Sequence, residues 1–289
     1  MRWFAYNGDA DGICSMVQWG LAYGLEGKRV TGVKRDIQLL DKISLERDDE
    51  LVAMDISLER NHGKAKQFAE SNHKIIWFDH HLSGEEIKGI ESYIDTSAEM
   101  CTSKIVENYI GVKSAWAHVA LHGDGLGQYS DRPDLAELGE LLNYNGYGES
   151  LDDLHYHPDK LLQYCIDSVT PEEFIKTKVF EKLKLGFAND MANVGDIKQK
   201  DGMYVLPDLS WARRIVGVFA HRLNESPGPH VIAIDKGDKF QISVRGSSGI
   251  GELCKMFGGG GRETAGGIDA LPKGEVPALM KEIVARRDN

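Results

Sequence analysis

The sequence predicts a two-domain α/β protein, with a parallel-sheet N-terminal domain that has a helical half, followed by a smaller α/β C-terminal domain. Short apolar segments typical of strands alternate with helical patterns over residues 3–78. Residues 96–166 are mostly helical in pattern, and strand-like segments return only after Gly202. The early alternation favours right-handed crossovers between strands, and therefore a parallel sheet.

The predicted strands of the first domain lie at Trp3–Tyr6, Arg29–Lys34, Glu50–Met54 and Lys74–Phe78. A helical pattern begins directly after Gly12. The first turn therefore lies just before a helix N-terminus, where free backbone N–H groups and the helix dipole favour an anionic group.

The predicted domain limits are residues 1–170 for the first domain, 171–195 for a linker helix and 196–289 for the second domain. Thr170 and Pro171 are typical of an N-cap and a first helical residue, so a helix is expected from there to about Asn189. The second domain is predicted to contain a strand, a helix, a hairpin, a short helix and a final helix. These lie at Met203–Leu206, Ser210–Asn224, Val231–Val244, Glu252–Phe257 and from Val276 onwards.

The composition limits the classes of partner. The chain has 289 residues, 42% of them hydrophobic, and a net charge of -11. Because Lys and Arg contacts to phosphates supply most of the affinity for long nucleic acid, this charge favours small substrates. The four cysteines are widely spaced and form no CxxC pair, which is typical of buried thiols in a reducing cytoplasm. No apolar run has the length of a signal segment or of a membrane span, so we expect a cytoplasmic protein without membrane association.

Acidic residues and a histidine pair end three of the predicted strands. Asp9 and Asp11 follow the first strand, Asp55 follows the third, and Asp79-His80-His81 closes the fourth. Because ligands of an open parallel sheet bind beyond the carboxyl ends of its strands, these side chains are expected to converge. Convergent carboxylates with an imidazole indicate a divalent metal site, and the imidazole shifts the preference toward Mn²⁺ over Mg²⁺.

The predicted metal ligands are Asp9, Asp11, Asp55, His80 and Asp124. Asp124 is chosen because it is flanked by glycines and follows the apolar run 116–121, with Asp131 as the alternative. Taken singly, each feature has a simpler explanation, since Asp-x-Asp-Gly is an ordinary surface turn and Asp55 could cap the next helix. Their joint occurrence at successive strand ends favours the metal site.

A pair of divalent ions roughly 3.5–4 Å apart is suited to in-line displacement at phosphorus, because it generates hydroxide near neutral pH and neutralises the entering and leaving oxygens. The predicted chemistry is phosphoester hydrolysis with two Mn²⁺ ions, or with Mg²⁺ as the alternative. Asp79 and His81 are the predicted catalytic residues. His81 is expected beside the metals without ligating them, where it either donates to a phosphate oxygen or orients a carboxylate ligand. His118 and His122 are either helpers of this site or core residues.

On these residues the chain resembles the DHH phosphoesterases, which are named after the string found at Asp79-His80-His81. Asp9-Ala10-Asp11-Gly12 resembles the first motif of the family, Asp55 the second, and Asp124 the less well-defined fourth. Segments 240–245 and 257–267 resemble the glycine-rich substrate-binding domain associated with the family. The resemblance extends over nearly the whole chain.

The resemblance implies substrate contacts in the second domain, at Arg245, Gly258, Gly259, Gly260, Gly261 and Arg262. Backbone amides of glycines approach a phosphate without side-chain obstruction, and arginines add bidentate donors. The simpler alternative is a flexible loop. Two departures from the family pattern have implications. Many relatives have His where this chain has Ala5, and other branches have His or Asp at the position of Asn7, which implies a weaker hold on one metal. Arg262 replaces a usual His, which implies a variant substrate.

The expected function is hydrolysis of short oligonucleotides or dinucleotides to nucleoside monophosphates, without a stable protein partner. Relatives implied by the resemblance include RecJ-type exonucleases, nanoRNases and dinucleotide phosphodiesterases. One alternative is an enzyme that hydrolyses pyrophosphate or a small phosphorylated metabolite. The other is a nucleotide-binding protein with weakened catalysis.

Overall fold

The computed structural model describes residues 1–200, 202–223, 229–261 and 263–287. The chain forms two compact units, Met1–Gly186 and Phe187–Asn289. Each contains a β-sheet and helices, which confirms the predicted α/β class with a parallel first sheet.

The first unit is built on a five-stranded sheet with the order β2-β1-β3-β4-β5, in which all neighbours are parallel. Its strands are β1 (Arg2–Tyr6), β2 (Lys28–Val30), β3 (Glu50–Met54), β4 (Lys74–Asp79) and β5 (Ile90–Ile94). The helices are α1 (Ala10–Tyr23), α2 (Leu58–Glu70), α3 (Thr102–Ile110), α4 (Ala115–Gly123), α5 (Ala136–Gly146), α6 (Pro158–Ser168), α7 (Pro171–Phe174) and α8 (Lys178–Ala192). The boundary between the two units lies within α8.

Both faces of this sheet are buried, which explains why its central strands are almost continuously apolar. On one face Ala53 and Trp77 pack with residues of α2, including Phe68. The alternating residues Val52 and Phe78 are buried on the other face, which α1 and α3 cover.

The strand order places β2 and β3 on opposite sides of β1. Such a reversal opens a crevice at the carboxyl ends of β1 and β3, where open α/β sheets bind their ligands. The residues between β1 and α1, and those directly after β3, therefore lie at the same edge of the sheet.

Two elements of the first unit differ from the sequence-based expectation. The second strand ends at Val30 instead of Lys34, because the chain leaves the sheet there and the Lys34 amide donates to the Gly146 carbonyl at 2.8 Å. Strand β5 was not predicted. It is a short edge strand, and its residues are only partly buried or exposed.

The helix predicted from Thr170 to about Asn189 is divided into α7 and α8. Thr170 is the N-cap as predicted, and its hydroxyl accepts a hydrogen bond from the Glu173 amide at 3.3 Å. The break lies at residues 175–177, where the Thr177 hydroxyl donates to the Phe174 carbonyl and accepts from the Phe180 amide.

The second unit contains a six-stranded mixed sheet with the order β10-β11-β9-β8-β7-β6. The strands of this sheet are β6 (Gln199–Lys200), β7 (Met203–Pro207), β8 (His230–Asp235), β9 (Lys239–Arg245), β10 (Gly260–Gly261) and β11 (Ala265–Pro272). The further helices of the second unit are α9 (Ser210–Leu223), α10 (Ile250–Met256) and α11 (Val276–Arg287). The predicted hairpin is formed by β8 and β9, which pair antiparallel. Strand β11 was not predicted, because its first residues are Ala-Gly-Gly.

All four cysteines are buried free thiols, as expected. Among the helices in the described part of the chain, none is both long and apolar enough to cross a bilayer.

Candidate metal centre

The residues that follow β1, β3 and β4 meet around the imidazole of His80. Its Nε2 lies 3.8 Å from Asp11 Oδ2, 3.5 Å from Asp55 Oδ1 and 3.4 Å from Asp124 Oδ2. All four side chains are buried, with the side chain of Asp124 only 6% exposed. The predicted convergence of these side chains is therefore present in the structure.

The ring of His80 is oriented by the backbone. Its Nδ1 lies 3.0 Å from the Met100 carbonyl oxygen, so Nδ1–H is the donor and Nε2 faces the carboxylates. A neutral imidazole binds a metal through the nitrogen that lacks the proton, and the hydrogen bond of the other nitrogen sets the tautomer. Nε2 is therefore the ligand atom that His80 offers.

Two groups of side chains in the described residues have ligand atoms close enough together to share an ion. One group is Asp11, His80 and Asp124, and the other is Asp55, His80 and His81. Within each group the ligand atoms lie within 4.8 Å of one another. His81 was expected to stand outside the ligand set, but the structure places it close enough to be an alternative ligand beside Asp55.

Asp11 is held by the N-terminus of α3. The amides of Thr102 and Ser103 each donate to a different oxygen of its carboxylate at 2.7 Å, and the Thr102 hydroxyl donates to Asp55 Oδ1 at 3.2 Å. The sequence gives no signal for the two amides, because backbone groups of a helix N-terminus carry no side-chain signature. The sequence feature that could indicate this contact is Thr102 at the start of a helical segment.

The carboxylates of this cluster are crowded together. Burial, followed by the charges of Asp124 and Asp9, raises the pKa of Asp11 to about 7. Burial and then the charge of Asp11 raise the pKa of Asp55 well above its ordinary value. Buried carboxylates in this condition lack compensating positive charge, which a divalent cation supplies. The donor set of carboxylate oxygens and one imidazole fits Mn²⁺ or Mg²⁺.

Asp9 has a different environment from the other carboxylates. Its Oδ1 caps α1 and accepts hydrogen bonds from the amides of Asp11 and Gly12, both at 3.1 Å. Its Oδ2 accepts a hydrogen bond from the ammonium group of Lys34. Both oxygens of Asp9 therefore already have partners.

Lys34 is the cationic side chain of this cluster, and the sequence-based prediction missed it. Its Nζ donates to Asn143 Oδ1 at 3.0 Å and lies 3.7 Å from Asp124 Oδ1. Burial opposes the charged form of Lys34, but the negative charge of Asp9 and its other neighbours outweighs this effect and raises the pKa of the ammonium group. No motif marks Lys34, which lies in a loop after a short strand.

Asp79 orients the two histidines that follow it. Its Oδ1 accepts from the His80 amide at 2.9 Å and lies 2.7 Å from His81 Nδ1. Asp79 is fully buried, and within the described residues its Oδ2 has no hydrogen-bond partner. The side chain of His81 is 33% exposed, so it lies at the rim of the cluster.

The two candidates for the last carboxylate occupy different environments. Asp124 faces His80, whereas the side chain of Asp131 is 87% exposed and lies 3.4 Å from His118 Nδ1. His118 also contacts the Ser130 hydroxyl at 3.1 Å, and His122 Nε2 contacts the Arg132 carbonyl at 2.9 Å. The structure therefore groups Asp124, but neither Asp131 nor these two histidines, with the predicted ligands.

Asp55 has a left-handed backbone conformation, with φ of 57°. Such a conformation is uncommon for residues other than glycine and is often found at functional sites, although Asp tolerates it better than most. The Asp55 amide donates to the Phe78 carbonyl at 3.0 Å, which extends the pairing between β3 and β4 up to this turn.

The predicted substrate-binding residues lie in the second unit. Arg245 ends β9 and donates to the Val244 carbonyl at 3.0 Å, while Arg262 lies outside the described residues. Gly258 and Gly259 follow α10, and Gly260 and Gly261 form β10, which pairs with β11.

The four glycines have different steric roles. A Cβ on Gly259 would come within 2.1 Å of the Gly267 carbonyl oxygen, whereas a Cβ on Gly260 would meet nothing within 4 Å. Part of the glycine run is therefore required by strand packing. Its contact with a substrate stays a prediction.

Comparison with known proteins is consistent with this architecture. Residues 3–124 match the family described as "DHH family, N-terminal domain". Comparison with curated protein sequences finds no match.

Solved structures with the same fold cover almost the whole chain. The pGpG-specific phosphodiesterase PggH from Vibrio cholerae has 14% identity and a TM-score of 0.56, covering 99% of this chain and 98% of that chain. RecJ from Thermus thermophilus in complex with Mn²⁺ has 17% identity and a TM-score of 0.60, covering 99% and 52%. An exopolyphosphatase-related protein from Bacteroides fragilis has 15% identity and a TM-score of 0.57, covering 99% and 91%. The matched residues include the cluster from Asp9 to Asp124, and this part of the chain is therefore similar to the N-terminal domain of the DHH family.

Proposed function

We propose that this protein is a metal-dependent phosphodiesterase that hydrolyses short oligonucleotides or dinucleotides to nucleoside monophosphates. The observation that carries the proposal is the meeting of Asp11, Asp55, His80 and Asp124 at the carboxyl edge of a parallel sheet. The match of residues 3–124 to the DHH family supports a phosphoester substrate. Two proteins of the same fold are described as a pGpG-specific phosphodiesterase and as the exonuclease RecJ, which supports the nucleotide class.

Asp11, Asp55, His80 and Asp124 are the proposed metal ligands. Mn²⁺ is the preferred ion and Mg²⁺ the alternative, because the set combines carboxylate oxygens with an imidazole nitrogen. When bound, a divalent ion polarises a phosphoryl oxygen as a Lewis acid and lowers the pKa of water toward neutrality.

The protein's own groups then position the substrate and the ligands. The amides of Thr102 and Ser103 favour the charged form of the Asp11 carboxylate and so oppose the effect of burial on its pKa. Asp79 Oδ1 lies 2.7 Å from His81 Nδ1 and fixes the orientation of the ring. The other ring nitrogen of His81 is proposed to contact a non-bridging phosphate oxygen.

The second unit is proposed to supply affinity for the nucleotide through Arg245, Arg262 and the glycine run 258–261. Arginine binds phosphate with paired donors, and exposed amides of glycines add further hydrogen bonds. The net charge of -11 favours a substrate with few phosphates over a long polymer.

A hydrolysis panel tests the proposed substrate class. The chain is incubated with Mn²⁺ and a linear dinucleotide, a nucleoside 3′,5′-bisphosphate or pyrophosphate, and the products are separated by chromatography. We expect the dinucleotide to be cleaved fastest, with nucleoside monophosphates as the products. His80→Ala should abolish turnover, while His118→Ala is the matched control because His118 lies outside the cluster.

Two other outcomes would contradict the proposal. Fastest hydrolysis of pyrophosphate or of the bisphosphate would favour a small-phosphate hydrolase. Binding of the dinucleotide in calorimetry, with no turnover of any substrate at saturating Mn²⁺, would favour a nucleotide-binding protein.

A further inference from the structure

We infer that the ammonium group of Lys34 takes the place of one of the two predicted cations, so that the centre holds a single divalent ion. This inference rests on the proposed metal-dependent function. It concerns the number of ions and the residue that replaces one of them.

The position of Lys34 is set by its backbone as well as by its side chain. Its amide donates to the Gly146 carbonyl at 2.8 Å, and its own carbonyl lies 3.5 Å from Asn7 Nδ2. At the other end of the side chain, Nζ contacts Asp9 and donates to Asn143 Oδ1 at 3.0 Å. The side chain is 26% exposed. Lys34 is therefore held at both ends and differs from a surface lysine that swings into solvent.

The carboxylates of the cluster face two positions, His80 Nε2 and Lys34 Nζ. His80 Nε2 faces Asp11, Asp55 and one oxygen of Asp124, at 3.4 to 3.8 Å. Lys34 faces Asp9 and the other oxygen of Asp124, which lies 3.7 Å from Nζ. Asp124 therefore lies between the two positions, with one oxygen directed to each.

Asp9 also differs from the other carboxylates of the cluster as a potential metal ligand. Neither of the groups of potential metal ligands within the described residues includes it. Its Oδ1 already accepts two amide hydrogen bonds and its Oδ2 accepts from Lys34. A divalent ion on Asp9 would have to approach the ammonium group closely, which like-charge repulsion opposes, or displace it, which breaks its ion pair with Asp9.

Counting of bound Mn²⁺ tests the inference independently of activity. The chain is freed of metal with a chelator and titrated with Mn²⁺, and free Mn²⁺ is followed by electron paramagnetic resonance. His80→Ala defines the non-specific background. We expect one specific Mn²⁺ per chain in the wild type, with the spectrum of an isolated ion.

Variants at position 34 distinguish the effect of the Lys34 charge from the effect of its side-chain volume. Lys34→Met keeps most of the stem and removes the charge, so we expect it to bind two Mn²⁺ ions with the exchange-coupled spectrum of a close pair. Lys34→Arg retains the charge and should bind one. Lys42→Met is the matched control, because Lys42 pairs only with the exposed Asp36 in the described contacts, and it should also bind one.

The outcomes are distinguishable. Two specific ions in the wild type, or one ion in a folded Lys34→Met chain, would overturn the inference while leaving the proposed function intact. If Lys34→Met does not fold, the wild-type count alone decides. No specific ion in the wild type would overturn both the inference and the proposed metal-dependent function.

Discussion

Asp124 and His80 lie side by side, with Asp124 Oδ2 3.4 Å from His80 Nε2. Asp124 caps the C-terminus of α4, and its amide donates to the Ala120 carbonyl at 3.0 Å. Gly123 makes this position accessible. A Cβ there would come within 2.4 Å of Ala10 Cβ, so only glycine allows the end of α4 to approach the start of α1 so closely.

Asp124→Asn should therefore remove a metal ligand without removing the side-chain volume. We expect a loss of Mn²⁺ affinity at least as large as the ~10–100-fold typical of changes to the outer partners of metal ligands. Hydrolysis should fall accordingly. The matched control is Asp131→Asn, whose exposed side chain lies away from the cluster and should leave both properties nearly unchanged. Calorimetry with Mn²⁺ makes the comparison, and equal losses in the two variants would contradict the placement.

Thr102 allows a test of the groups that donate hydrogen bonds to the proposed metal ligands. Its hydroxyl donates to Asp55 Oδ1, so Thr102→Val should leave that oxygen without a donor while keeping the shape of the side chain. We expect Mn²⁺ affinity to fall by about 10-fold. Thr102→Ser keeps the hydroxyl and should bind Mn²⁺ almost as well as the wild type. If Val and Ser gave the same affinity, the hydroxyl would have no role in the centre.

The metal-free protein should be less stable at high pH. Asp11 has an ordinary pKa of 3.8, and burial together with the charges of Asp124 and Asp9 raises it to about 7 in the folded chain. Because the pKa of Asp11 is higher in the folded chain than in the unfolded chain, Asp11 stabilises the folded state. This stabilisation is complete below pH 3.8 and is lost as the pH rises through about 7. The raised pKa of Asp55 acts in the same direction.

Thermal melting in the presence of a chelator measures this effect. We expect a lower melting temperature at about pH 8 than at about pH 5.5, and a flatter profile for Asp11→Asn. Stabilisation by added Mn²⁺ should increase with pH over the same range, because metal ligands must lose their protons. A metal-free chain that gained stability over this range would contradict the assigned direction.

Gly260 allows the glycine run to be tested without disturbing the sheet. A Cβ at this position meets nothing within 4 Å, so Gly260→Ala should keep the fold. If its amide approaches a phosphate, KM for a dinucleotide should rise several-fold while kcat changes little. Gly237→Ala is a comparison at an equally open position in the hairpin turn, although its positive φ makes it less tolerant. An unchanged KM for Gly260→Ala would argue against substrate contact there.

The parts of the centre that could be predicted from sequence are those with local signals. Apolar runs ending in Asp55 and in Asp79-His80-His81 mark strand ends, and a parallel sheet brings such ends to one edge. The sequence therefore predicts the group around His80. The choice of Asp124 over Asp131 also follows from a local feature, the glycine on each side of it.

The parts that could not be predicted depend on distant contacts. Lys34 reaches the centre because Gly146 and Asn143, far along the chain, hold its backbone and its ammonium group. The amides of Thr102 and Ser103 act through the backbone, which no residue type reveals. Strand β5 is a partly exposed edge strand, and its pairing with β4 depends on tertiary contacts that a periodic pattern does not show.

The position of a bound ion tests the central claim most directly. Crystals of the protein soaked in Mn²⁺ and measured at the manganese absorption edge would locate the ion by its anomalous signal. We predict a peak among the carboxylates of Asp11, Asp55 and Asp124 and Nε2 of His80. A peak elsewhere in the protein, or no peak at saturating Mn²⁺, would contradict the assignment of this cluster as the metal centre.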